Sequence, residues 1–220
     1  MAEPARVADC VRAMRQATSL PITVKSRIGI DDRDDYGFLA EFVETVADAG
    51  CDYFIVHARK AILSGLSPKE NRMVPPLRYE HVYRLKRDFP HLSIVLNGGI
   101  ETVDSVRAHL TQVDGVMIGR KAYADPFFLA VLQDSFSTPE ARNGWKPPAR
   151  AQIVRQMADY AERQLARGAS LHHISRHMLG MFNGQQGARR WRRFISEKAS
   201  QPGAGPEVLI ASLDVFDAAA

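Results

Sequence analysis

Cysteine is scarce: Cys10 and Cys51 are the only two in 220 residues. That is too few for a disulfide framework, so a reducing cytoplasm is the expected compartment. No run approaches the roughly 18 consecutive apolar residues of a membrane-spanning helix, so no membrane role is expected. The opening MAEPARVADCVRAM has no basic patch leading into an apolar core, which argues against a secretory signal. HExxH, CxxC and GxSxG are missing, and no GxGxxG follows the first expected strand. A zinc-hydrolase helix, a nucleophile elbow and a dinucleotide-binding turn therefore lack their usual signatures. His172 and His173 belong to no complete metal-binding motif, so no metal is expected.

What is present is an ordinary globular composition, 45% hydrophobic and 25% charged, with a net charge of +4. The length suffices for one large domain or two small ones. Apolar positions Val7, Cys10, Val11 and Met14 recur at helical spacing. ITVKSRIG (22–29) reads as a strand, Tyr36 to Ala49 as a helix, and DYFIVHA (52–58) as a buried strand. A long polar loop runs from Arg59 to about Pro76, and loops of that length are uncommon without a function. A helix over 78–88, a strand over 93–99, a helix over 101–110 and a strand over 114–120 follow. The next helix is expected to start near Asp125 and Pro126. Regular alternation with continuously apolar strands predicts a parallel α/β sheet, either a barrel or doubly wound.

Composition shifts after about residue 134. Residues 135–150 read as a linker, and 151–220 as a small all-α domain of four helices, one of them over LHHISRHMLGMFNG (171–184).

In βα-barrels the active face is built at the C-terminal ends of strands. Here those ends carry Lys25 and Arg27, His57, Asn97-Gly98-Gly99, and Gly119-Arg120. Two glycines after a strand let backbone N–H groups approach a phosphate, and a glycine–arginine pair adds donors. A tight turn is the simpler reading of Gly98 and Gly99 alone. The recurrence of IGR about 20 residues after NGG favours a phosphate site. Lys25 reads as an internal charge, costly to bury unpaired. His57 reads equally as a donor, a base or a core histidine. QGARRWRR (186–193) sets four arginines around Trp191. Such a patch suits a polyanion, with the tryptophan either stacking on a base or anchoring the helix.

PITVKSRIGID, FIVHARKA, GLSPKENR, PPLRYEHVYRLKRDFPHL, NGGI, DGVMIGRKAY and the tail RHMLGMFNGQQGARRWRRFISE together resemble the tRNA-dihydrouridine synthases of the A type. The resemblance implies the C-terminal half of a (β/α)8 TIM barrel, four βα units over 1–134, followed by the linker and a helical tRNA-binding domain. It implies reduction of uridines 20 and 20a in the tRNA D loop to 5,6-dihydrouridine, with FMN as cofactor and NADPH as reductant. Flavin hydride goes to uracil C6, and a cysteine protonates C5. By motif, Lys25 and His57 match contacts to the flavin ring and its phosphate side. Asn97, Gly98, Gly99, Gly119 and Arg120 match the FMN-phosphate cradle. Lys69 and Arg72 match tRNA contacts in the long loop. Arg189 and Arg192 match those of the tail, though Arg190 and Arg193 share the spacing.

The family's earlier strands and its glycine–cysteine–proline–serine motif have no match here, so no catalytic residue is assigned. Neither Cys10 nor Cys51 ends a strand, and Met1 reads as an internal methionine of a longer protein. Half a barrel would leave apolar edge strands and invite self-association. The chain alone is expected to bind FMN poorly and to make no dihydrouridine. Two other readings remain at this point: another FMN-dependent barrel oxidoreductase, and an inactive tRNA-binding remnant.

Overall fold

The computed structural model describes residues 1–138, 140 and 143–217. Residues 139, 141 and 142 of the expected linker, and 218–220 of the expected helical segment, lie outside the described residues. The chain divides into two compact units, Met1–Gly119 and Arg120–Ala220.

The first unit opens with helix α1 (Pro4–Ala17), which buries Ala8 and Val11. Pro4 suits the first turn, because its fixed φ is helical and its missing N–H would be unpaired there anyway. Strands and helices then alternate: β1 (Thr23–Arg27), α2 (Tyr36–Ala47), β2 (Tyr53–His57), α3 (Tyr79–Asp88), β3 (Ser93–Asn97), α4 (Val103–Leu110) and β4 (Gly115–Met117). Asp35 caps α2 by accepting a hydrogen bond from the Phe38 N–H at 3.0 Å. The apolar stripe Phe38, Leu39, Phe42, Val43 and Val46 is buried. Thr102 caps α4, accepting from the Ser105 N–H at 3.1 Å. The Ser105 hydroxyl accepts in return from the Thr102 N–H at 3.3 Å.

All strand pairs are parallel, and the order is β1-β2-β3-β4. Each crossover thus advances one place in the same direction. Barrels wind this way, whereas doubly wound sheets reverse at a switch point. The fold is α/β with a four-stranded parallel sheet, consistent with part of a TIM barrel.

Side chains alternate across the sheet. Phe54, Val56, Ile94 and Leu96 point to one face and are fully buried. Each contributes roughly 1.5–3 kcal/mol through burial. The opposite face carries Lys25, Ile55, Val95 and Gly115 in one register row. The next row, at the C-terminal ends, is Arg27, His57, Asn97 and Met117.

In the second unit the described elements are α5 (Arg120–Ala124), α6 (Phe128–Phe136), α7 (Arg150–Leu165), α8 (Leu171–Ser175), α9 (Ala188–Lys198) and α10 (Glu207–Asp217). No strand occurs among its described residues. The core gathers around Trp191, which is fully buried with Leu171, Ile195 and Leu209. Phe182 meets the indole edge to face at a centroid distance of 5.0 Å. The indole N–H donates to the Ser212 hydroxyl at 3.0 Å, and that hydroxyl donates to the Leu209 carbonyl at 2.6 Å. No helix of the described residues is long and apolar enough to cross a membrane.

Three expectations change. The strand expected over 93–99 stops at Asn97, because Gly98 and Gly99 take φ of 117° and 69° and leave the ladder. The strand expected over 114–120 is only Gly115–Met117, and Arg120 instead begins a helix. The helix expected over 171–184 is confined to Leu171–Ser175. Gly180 there lies against the Ala124 carbonyl, where no side chain fits. Turns closed by Gly184 and Gly187, at φ of 76° and 84°, carry the chain on to α9.

Candidate functional site at the strand ends

The row Arg27, His57, Asn97, Met117 forms one rim because four strands end in register. The Asn97 side-chain amide donates to the Met117 carbonyl at 2.7 Å, tying β3 to β4 at the rim. The Asn97 carbonyl accepts from the Ala58 N–H at 2.9 Å, tying it to β2. The turn that follows admits no side chain. A Cβ on Gly98 would lie 2.6 Å from the His57 ring. One on Gly99 would lie 2.6 Å from Leu77 and 2.9 Å from the Tyr79 hydroxyl. Gly98 is buried and Gly99 exposed, so the peptide backbone itself faces whatever approaches.

His57 is 9% exposed, and its ring is seated on Gly98. Lys25 lies one row below and, contrary to its reading as an internal charge, is exposed. Partial burial, and then the Arg27 charge, lower its ammonium pKa. Arg27 is half-buried and donates to the carbonyls of Lys60 at 2.7 Å and Asn71 at 2.8 Å. Burial, then the charges of Arg59 and Arg72, lower its pKa. Cations crowded this way favour an anion among them.

The long loop is fixed by these bonds. Lys60 donates to the Asp31 carbonyl at 2.8 Å and pairs with the Asp34 carboxylate at 3.0 Å. Asp34 also meets Arg78 at 3.2 Å. The Asn71 side chain accepts from the Ile62 N–H at 2.9 Å and donates to the Ile62 carbonyl. The Ser67 N–H donates to Glu70 at 2.8 Å, and the Glu70 N–H donates to the Ser67 hydroxyl at 3.3 Å. Lys69 and Arg72, at and beside the short 3₁₀ turn Glu70–Arg72, are exposed.

Gly119 and Arg120 stand on either side of the division between units, and both are exposed. Elsewhere in the second unit, α9 buries Ala188, Trp191 and Ile195. Arg189, Arg190, Arg192 and Arg193 are thereby left in solvent. Trp191 is the helix anchor, since its whole ring is buried and its N–H is bonded to Ser212. Arg193 pairs with Glu197 at 2.7 Å. Arg189 and Arg192 have no such partner among the described residues.

Cys10 is exposed on α1. Cys51 is buried ahead of β2, and burial pushes its thiol pKa up. Sequence reasoning assigned no role to Arg27, although it closes the same VKSR segment as Lys25. It also passed over Tyr79, whose hydroxyl reaches the glycine turn from the first residue of α3.

A family model described as dihydrouridine synthase (Dus) matches residues 1–219. The tRNA-dihydrouridine(20/20a) synthase of Vibrio cholerae serotype O1 is 52% identical over 213 residues, covering 95% of this chain and 63% of that protein. Its namesake in Vibrio parahaemolyticus is 54% identical over 210 residues, covering 95% and 63%. That of Escherichia coli K12 is 54% identical over 205 residues, covering 92% and 58%. The chain thus spans somewhat less than two thirds of the length of these relatives.

Proposed function

The chain belongs to the dihydrouridine synthase family, and on that premise we propose that it is the later part of a flavin-dependent tRNA-dihydrouridine(20/20a) synthase. Its sheet makes up the C-terminal half of an eight-stranded βα-barrel over 1–134. A linker over 135–150 leads to a helical tRNA-binding domain over 151–220. A tRNA substrate places the work in the cytoplasm.

One observation carries this reading. Lys25, His57 and the Asn97-Gly98-Gly99 turn share the open face at the strand ends, over a backbone that a Cβ would obstruct. Such a cradle suits a phosphate, and cations beside it suit a ring that carries negative charge. FMN has both parts. Gly98 and Gly99 would receive its phosphate, with Gly119 and Arg120 adding donors. Lys25 and His57 would orient the ring and supply charge. When bound, FMN reduced by NADPH supplies the hydride that uracil accepts.

Lys69 and Arg72 on one surface, and Arg189 and Arg192 on the other, would neutralise tRNA phosphates. The target base must leave its stack to be reduced, and contacts that hold the RNA backbone permit that. Cys10 and Cys51 are placed for neither proton donation nor ring contact. The chain by itself is therefore expected to bind FMN weakly and tRNA measurably, and to form no dihydrouridine.

The test compares FMN with riboflavin, which lacks the phosphate. Flavin fluorescence and the FMN phosphorus resonance follow binding to the 220-residue chain. A preference for FMN of about tenfold or more is expected, since one charge-assisted hydrogen bond is worth about 1.5–3 kcal/mol. Equal affinities would sink the cradle. In parallel, the Arg189→Ala/Arg192→Ala chain is titrated with tRNA at several salt concentrations. Each lost phosphate contact lowers the salt slope by about 0.7–0.9. An unchanged slope would remove the tail from the interface.

A further inference from the structure

Behind the glycine turn, on the side away from the rim, lies an aromatic cluster to which the cofactor reading gives no part. Tyr79 begins α3, and its hydroxyl donates to the Gly98 carbonyl at 2.8 Å. The tyrosine ring is held in turn. It lies 4.6 Å, centroid to centroid, from the ring of His109 on α4. It stacks on Tyr83 at 6.4 Å. Tyr83 closes the triangle, its hydroxyl 2.7 Å from His109 Nδ1. His109 is 7% exposed, so two helices lock the group from below.

A Gly-Gly peptide has little resistance to turning over, because glycine accepts φ of either sign. In a trans peptide the C=O and the next N–H point in opposite directions. Holding the Gly98 carbonyl toward α3 therefore aims the Gly99 N–H away from α3. That N–H has no hydrogen-bond partner among the described residues. Burial, and then the neighbouring Tyr83, raise the Tyr79 phenol pKa, which keeps it a donor at neutral pH.

We infer that Tyr79 is a positioning residue for the phosphate of the flavin: it sets the Gly98–Gly99 peptide so that the Gly99 N–H faces the ligand. The inference rests on the cofactor reading above. It adds a residue whose effect should reach the phosphate and spare the ring. A residue that merely supported the fold would weaken both flavins alike.

Tyr79→Phe keeps the aromatic packing and removes only the hydroxyl. FMN affinity of the variant chain should fall about tenfold, the weight of one well-placed hydrogen bond. Riboflavin affinity should stay as in the wild type, and the chain should still melt cooperatively, at a somewhat lower temperature because the buried Gly98 carbonyl loses its donor. FMN affinity that is unchanged, or that falls together with riboflavin affinity, overturns the inference. If Tyr79→Phe does not fold, the wild-type chain decides by amide NMR. The Gly99 N–H resonance should move on adding FMN and stay still on adding riboflavin, and any other pattern overturns the proposal. A wild-type chain that fails to distinguish the two flavins overturns the cofactor reading itself, and this inference with it.

Discussion

Arg27 and Arg192 both belong to basic surfaces, but they are built differently. Arg27 is half-buried, and two backbone carbonyls fix its guanidinium. Lys60, whose carbonyl it meets, is itself tied to Asp34. Arg192 stands in solvent, and its place is set only by the helix beneath it, through Trp191. The difference follows the ligand each surface would meet. A small, rigid molecule is recognised by groups that pay little ordering entropy on binding, so the rim is prearranged. A long polyanion is held by charge, which falls off slowly with distance and tolerates mobile side chains. In the first surface the sequence specifies positions, whereas in the second it specifies a charge density on an anchored helix.

The harshest way to break the comparison is to remove the anchor. Trp191→Ala deletes a fully buried indole and strands the Ser212 hydroxyl that accepts from it. A loss of about 3–5 kcal/mol is expected, enough to unfold the second unit in a urea titration followed by helical circular dichroism. tRNA binding through the tail should go with it, while the share of the FMN preference carried by Gly98 and Gly99 should survive. Loss of both would mean that the two surfaces are not independently built.

The converse experiment strikes the rim. Gly98→Ala places a methyl 2.6 Å from the His57 ring at a φ of 117°. Strain of that kind costs on the order of 1–3 kcal/mol, and relieving it must shift either the turn or the histidine. The FMN preference should collapse in the flavin titration, and tRNA mobility shift should be unaffected. An intact FMN preference would show that the turn is not what meets the phosphate.

How legible these two surfaces were in the sequence follows the same division. The strands were readable because FIVHA and SIVLN are apolar at successive positions, as strands covered on one face and half-covered on the other require. The rim was readable because its residues sit at strand ends, a place fixed by local pattern. The charge of the tail was equally plain. Whether Trp191 faces a base or the core was not, since the apolar side formed by Ala188, Trp191 and Ile195 can be read from spacing, but its cover, Leu171 and Leu209, comes from distant segments. The break in the helix expected over 171–184 was hidden for a similar reason. It depends on Gly180 meeting the Ala124 carbonyl, more than fifty positions earlier in the chain. Tyr79 was hidden because its partner Gly98 lies 19 residues on, and nothing in a lone tyrosine at a helix start announces that bond.

The smallest effect concerns the support behind the rim. Burial alone lowers the pKa of His109 below its ordinary 6.5. The unfolded chain keeps the ordinary value, so as pH falls it takes up this proton before the folded chain does. The stability that neutral His109 contributes is therefore complete above about pH 6.5 and is lost as pH falls toward its folded-state pKa. No single group can change stability by more than about 1.4 kcal/mol per pH unit, so the slope will be modest. Carboxylates such as Asp114 titrate lower and add their own slope in acid. His109→Gln isolates the histidine, because a glutamine amide can either accept from or donate to Tyr83 and does not titrate. Urea midpoints of the wild type and this variant should run parallel above about pH 7 and separate below about pH 6.5, with the wild type falling faster. The FMN phosphate itself titrates at about pH 6, so if Tyr79 transmits that support to the turn, the preference for FMN over riboflavin should weaken across this interval more in the wild type than in His109→Gln. A preference that falls equally in both chains would leave His109 a core residue of the α3–α4 pair and confine positioning to Tyr79 alone.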